Sequence, residues 1–126
     1  MPTIYVSVNG GSTNLRLRDS EGHSPGNDQL TTNVNVNDTV TWEVDPTPPS
    51  GANAISSIEN VYKKANNDPN NYSLLTGNPS NNGSGVWEGT VVSNSPGSGK
   101  QESYNIDYKI DAGGNTYTDD PKLQMN

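Results

Sequence analysis

The stretch Val34-Asn35-Val36-Asn37-Asp38-Thr39-Val40-Thr41-Trp42-Glu43-Val44 carries the strongest strand signal in the chain. Val34 and Val36 alternate with asparagines, Asn37-Asp38 supplies turn chemistry, and Val40, Trp42 and Val44 alternate again. A period of two sends successive side chains to opposite faces of a strand, one apolar and one wet. With Leu30 and Thr32 before it, the stretch reads as strands joined in a β-hairpin or meander, with Trp42 in the core. Asp45 to Gly51, which holds Pro46, Pro48 and Pro49, then ends the ladder, because proline has no N–H to donate.

The same alternation runs outward in both directions. Ile4, Val6 and Val8 end at Asn9-Gly10-Gly11, and Leu15 and Leu17 follow, which predicts a hairpin. Asp19 to Gln29 is a polar loop. Tyr104, Ile106, Tyr108 and Ile110 alternate against Ser103, Asn105, Asp107 and Lys109, and Gly113-Gly114 turns the chain back through Thr116 to Thr118. Val86 to Ser93 reads as a strand, and Lys122 to Met125 as a short final edge strand. The middle is less regular. Ala54, Ile55, Ile58, Val61, Tyr62 and Ala65 fit one helical face, while Ser57 to Tyr62 also fits a strand; the uneven spacing favours a short helix or irregular crossover. Asn66 to Ser73 is polar, Leu74-Leu75 is an apolar anchor, and Thr76 to Gly85 is a loop. The expected architecture is all-β: one domain over residues 1–126, a two-sheet Greek-key sandwich of seven or eight strands. An open sheet covered by one helix is the alternative.

Composition narrows the chemistry. Of 126 residues only 28% are apolar, and none is cysteine, so disulfides, thiolate catalysis and cysteine-ligated metals are excluded. The single histidine, His23, reads as a surface-loop residue, and no G-x-S-x-G elbow accompanies it. Fourteen acids against seven scattered bases give a net charge of −7. This composition argues against nucleic acid and anionic membrane as partners. No phosphate loop or dinucleotide fingerprint occurs, and no cofactor is expected. The amino-terminal residues read as a strand rather than a leader, so the expected location is cytoplasmic for a full-length chain and secreted if a leader was removed.

Val34 to Trp42 resembles the strand-turn-strand element of cupredoxin-like sandwiches. Tyr104 to Ile110, with Gly113-Gly114 and then Asp120-Pro121-Lys122-Leu123, is similar to the tail of bacterial inclusion-body/AidA-type proteins. These resemblances imply a cupredoxin-like fold, a bacterial source and a poorly defined molecular function. A blue-copper centre needs two histidines and a cysteine, and this chain lacks them. The resemblance therefore implies a copper-free sandwich.

Two constellations suggest binding. Trp87, beside the loop Asn82-Gly83-Ser84-Gly85, and Tyr72 in a polar loop offer rings for stacking on a sugar, with Asn82 as a hydrogen-bonding rim. Asp107, Asp111, Asp119 and Asp120 gather carboxylates around one hairpin, and calcium takes six to eight such oxygens. Solvated turn residues are the competing explanation. Paired carboxylates for hydrolysis could come from Glu43, Glu59, Glu88, Glu102 and the aspartates, but nothing in the sequence predicts a raised pKa at any of them. Asn82-Gly83 and Asn9-Gly10 are sites of expected slow deamidation. The leading expectation is a non-catalytic β-sandwich acting through a protein partner or as a homo-oligomer. A glycan-binding module, with or without calcium, is the alternative.

Overall fold

The computed structural model describes residues 2–65 and 68–126. Met1, and Asn66 and Asn67 of the expected polar stretch, lie outside the described residues. Eleven strands follow in order: β1 (Thr3–Asn9), β2 (Leu15–Asp19), β3 (Thr31–Val34), β4 (Thr39–Val44), β5 (Ala52–Ala54), β6 (Ser57–Lys63), β7 (Ser80–Asn81), β8 (Trp87–Thr90), β9 (Gln101–Lys109), β10 (Thr116–Asp119) and β11 (Lys122–Met125). The described residues contain no helix. One sheet runs β2-β1-β4-β8-β7, with β5 also on β1. The other runs β10-β9-β11-β3, with β6 also on β9. The two pack face to face as an all-β sandwich.

The alternating positions become the core. Ile4, Val6, Leu15, Leu17, Val34, Val40, Trp42, Ile106 and Leu123 are fully buried. Trp42 of β4 meets Tyr104 of β9 edge-to-face, with ring centroids 5.5 Å apart and planes at 69°. Its indole N–H donates to the Tyr104 hydroxyl at 3.1 Å, so one bond crosses between the sheets. Gly89 makes room for it: a Cβ there would lie 3.2 Å from Leu75 and Pro79 carbons and 3.5 Å from the indole.

Four expectations change. The Val34–Val44 stretch does form two strands, but they do not pair. β3 lies parallel to β11, while β4 lies parallel to β1 and antiparallel to β8. The link is an arch between sheets. Asn35 N–H donates to the Asp38 carboxylate, Asp38 N–H to the Asn35 carbonyl, and Asn37 N–H to the Val92 carbonyl. Asn37 takes φ 66° there, a left-handed conformation asparagine tolerates.

Second, the expected helix at Ala54–Ala65 is replaced by β6. A bulge between Ile58 and Asn60 shifts the register against β9, so Ile58 and Val61 both turn inward despite being three residues apart. That spacing imitates a helical face. Third, β11 is an interior strand, flanked by β9 and β3, with Leu123 and Met125 buried. Pro121 breaks the chain so that β10 and β11 occupy the same side of β9 in succession. Fourth, short strands such as β5 and β7 take the count past the expected seven or eight.

Replacing Tyr104 by Phe leaves the Trp42 N–H buried without an acceptor. Stability is expected to fall by about 1–3 kcal/mol, read as a lower urea midpoint with unchanged slope.

Candidate functional site

β2 ends on Asp19, whose strand parity turns it inward, and its side chain is wholly inaccessible. A carboxylate in that position must have its oxygens satisfied. One oxygen accepts from the backbone N–H groups of Glu21 (3.0 Å) and His23 (2.9 Å). The other accepts from the Thr32 hydroxyl of β3 (2.8 Å) and lies 2.8 Å from His23 Nδ1. A carboxylate partner assigns the donor role to Nδ1, which leaves Nε2 as the free ring nitrogen. Among the described residues no hydroxyl is hydrogen-bonded to Nε2. The His23 pKa is raised, chiefly by its hydrogen bond to Asp19, against a smaller opposing effect of burial. Gly22, at φ 95°, permits the tight return that brings His23 back over Asp19.

Glu21 extends the arrangement to the rim of the second sheet. Its carboxylate accepts from the Asn33 N–H at 2.9 Å. Among the described residues β3 ends its sheet and pairs with β11 alone. The Leu30 and Val34 carbonyls accept from Lys122 and Asn126 on the β11 side. By alternation, the N–H and C=O groups of Thr31 and Asn33 point the other way, along the open edge. Glu21 covers one of them. Beside this edge lies an open cleft of about 440 Å³, with His23, Pro25, Gln29, Leu30, Thr31 and Asn33 among its walls. Val36, just beyond the strand, is the exposed large hydrophobic among the described residues, at 38%. The edge of β2, by contrast, is covered: Leu17 and Asp19 N–H groups donate to the Asn27 and His23 carbonyls.

The residues singled out for sugar stacking do not share a surface. Trp87 is half-buried against the core and donates its indole N–H to the Ile58 carbonyl at 3.2 Å. Ile58 pairs with Tyr108, near the end of β9. Tyr72 donates its N–H to Gln101, at the start of β9, and carries Lys100 over its ring at 5.3 Å. The separation along β9 is roughly 20 Å at strand rise. Asn82 is exposed in the turn between β7 and β8.

Nor do the four aspartates converge. Thr118 stands opposite Asp107 across the β9–β10 pair, so Asp119 falls on the other face. Asp107 accepts from the Tyr62 and Thr118 hydroxyls. Asp119 turns inward, accepting from Leu15 N–H and the Tyr108 hydroxyl. Asp120 pairs with Lys64 at 2.7 Å, and the Asp111 backbone carbonyl closes the turn with Gly114. Among the described residues, the group of three whose metal-binding atoms lie within 4.8 Å of one another is Asp19, Glu21 and His23. There the Asp19 oxygens are already engaged by four donors, the pattern of a structural lock. By sequence His23 reads as a loop residue; the legible signal is an acid closing a strand with a histidine four residues on.

A second buried acid sits in the other sheet. Glu102 takes an inward position of β9 and accepts from Leu74 N–H at 2.7 Å. It borders a cavity of about 230 Å³ lined by Lys63, Ser73 and Asn78. Burial raises its pKa, although bonds from Leu74 and Leu75 and the charge of Lys63 pull the other way.

Asp19→Ala strands the Thr32 hydroxyl and two backbone donors, and is expected to cost about 3 kcal/mol of stability. Protonated His23 favours the fold. Its contribution is full below the ordinary histidine pKa of about 6.5 and is lost as pH rises through the higher folded value. His23→Gln should remove that decline from a series of urea midpoints spanning the neutral range. Glu102, also raised, destabilises as pH climbs from about 4.3 through its folded value. Glu102→Gln keeps the acceptor without the charge, and should raise the midpoint at neutral pH while flattening the acid part of the curve.

A search of curated proteins finds no match. A family model described as "Domain of unknown function (DUF8788)" matches residues 6–118, from within β1 to within β10. The match spans both sheets and the Asp19–His23 loop, and the chain belongs to that family.

Proposed function

We propose that this protein is a non-catalytic β-sandwich that acts through protein contact, and that the open edge of β3 receives an extended segment of a partner. The observation that carries this reading is the row of outward backbone groups at Thr31 and Asn33, beside an open cleft and ending at exposed Val36. An added strand gains affinity from main-chain hydrogen bonds and selectivity from alternate side-chain positions. Glu21 guards the edge in the manner of a charged gatekeeper. A lysine or arginine on the incoming strand would draw its carboxylate away and free the Asn33 N–H. Net charge of −7 favours such a basic partner over a second copy of the chain.

The carbohydrate-binding alternative draws less support from the separation of Trp87 and Tyr72. The copper-free cupredoxin-like assignment with Greek-key connectivity remains our reading of the fold family. Two sheets around a central Trp42 support it.

Two blocked eight-residue peptides of alternating Thr and Val, one with a central Lys and one without, provide the test. The Lys peptide should cause saturable amide shifts at Thr31 and Asn33 of the labelled protein, and Glu21→Gln should erase the preference for lysine. Shifts confined to another surface, or none, would overturn the assignment. Concentration-dependent changes at Thr31 and Asn33 without peptide would replace the basic partner by self-association.

A further inference from the structure

β7 and β8 are joined through a turn in which Asn82 N–H donates to the Val86 carbonyl. Within it, the Asn82 side-chain oxygen accepts two hydrogen bonds, from Ser84 N–H at 3.0 Å and from the Ser84 hydroxyl at 2.7 Å. We infer that Asn82-Gly83 is a built site of spontaneous covalent modification, in which Ser84 promotes conversion of Asn82 to aspartate and isoaspartate.

The chemistry needs only water. The Gly83 backbone nitrogen attacks the Asn82 carboxamide carbon, a C–N bond forms, and the Gly83 proton passes to solvent base. The side-chain nitrogen is protonated and leaves as ammonia, giving a succinimide. Water then opens the ring at either carbonyl. One water is consumed, one ammonia is released, and nothing is oxidised or reduced. Negative charge develops on the side-chain oxygen during attack. The two donors of Ser84 are already aimed at that oxygen, and pre-placed donors stabilise such charge. The nucleophile is also accessible. Gly83 stands at φ 96° in an exposed turn, and its N–H is held by the exposed side chain of Asn81 rather than by a ladder.

The second Asn-Gly pair supplies the contrast. Asn9 is the last residue of β1; its side-chain amide donates to the Gly26 carbonyl, and its N–H to the Asn14 carbonyl. Gly10 N–H is bound at 2.8 Å to the Gly51 carbonyl, which also lies 3.0 Å from the Gly10 Cβ position. At Asn9 the leaving nitrogen and the Gly10 N–H are both bound to backbone carbonyls, whereas at Asn82 the bonds fall on the carboxamide oxygen and the Gly83 N–H is held by an exposed side chain. Conversion adds one negative charge, and the isoaspartyl product inserts an extra backbone atom into the turn beside Trp87.

The folded protein, incubated in mildly alkaline buffer at physiological temperature, is sampled over time by peptide mass mapping with isoaspartate detection. Asn82 should convert several-fold faster than Asn9. Ser84→Ala should slow Asn82 several-fold in the folded protein, but not in a synthetic peptide of residues 78–88, where the turn is not held. Asn82→Gln should abolish the modified peak. Equal rates at Asn9 and Asn82 would overturn the inference, as would an Asn82 rate indifferent to Ser84 in the folded chain.

Discussion

The carboxylate of Asp19 is the constraint on which the sandwich closes. It lies at the end of one sheet's edge strand, and its four donors come from the loop that follows and from Thr32 on the other sheet's edge. A buried acid is costly unless its oxygens are satisfied, so the loop cannot leave without exposing or orphaning it. The same loop shields β2 through Asn27 and His23 and carries Glu21 to the edge of β3. Covering one edge and guarding the other thus follow from one side chain.

The opposite flank closes by different means. There Trp87 donates to the Ile58 carbonyl of β6, and the Asn78 side chain accepts from Lys63 N–H. These side chains take backbone groups at the outer edge of β6 that would otherwise be open. At the end nearest Asp119, the Leu15 N–H and the Tyr108 hydroxyl both meet that carboxylate. The sandwich is held at its margins by polar side chains that reach across, while Trp42 and Tyr104 join the sheets at the centre. This division suits a chain with few apolar residues and many asparagines. Asparagine and aspartate side chains accept backbone N–H groups in its turns and at its edges, as Asp19, Asp38 and Asn78 do.

Several features are legible in the sequence alone. Alternation identified the strands around Ile4, Leu15, Trp42 and Tyr104, and it placed Trp42 in the core. The β1–β2 and β9–β10 hairpins were legible too, because their strands are neighbours in sequence and tight turns join them. The arch at Asn35–Asp38 was not, since turn residues serve a hairpin and a crossing between sheets equally well. The Ile58–Val61 spacing misled because a bulge changes strand parity. The aspartates near the carboxy terminus looked like a cluster because they are close in sequence, yet strand alternation sends Asp107 and Asp119 to opposite faces. The Asp19–His23 lock is not legible, because Thr32, its third member, comes from a strand in the other sheet.

Residue pattern alone shows that strands dominate the chain, which faces of them are apolar, and that a single chain offers neither cysteine nor a cluster of histidines. These properties depend on residue type and on a local period of two. Long-range contacts settle which strands pair, that β11 lies inside its sheet, that β3 is left as an open edge, and that Asp19 joins two sheets. Those outcomes depend on hydrogen bonds between segments far apart in the chain, and no local pattern records which distant partner a strand will meet.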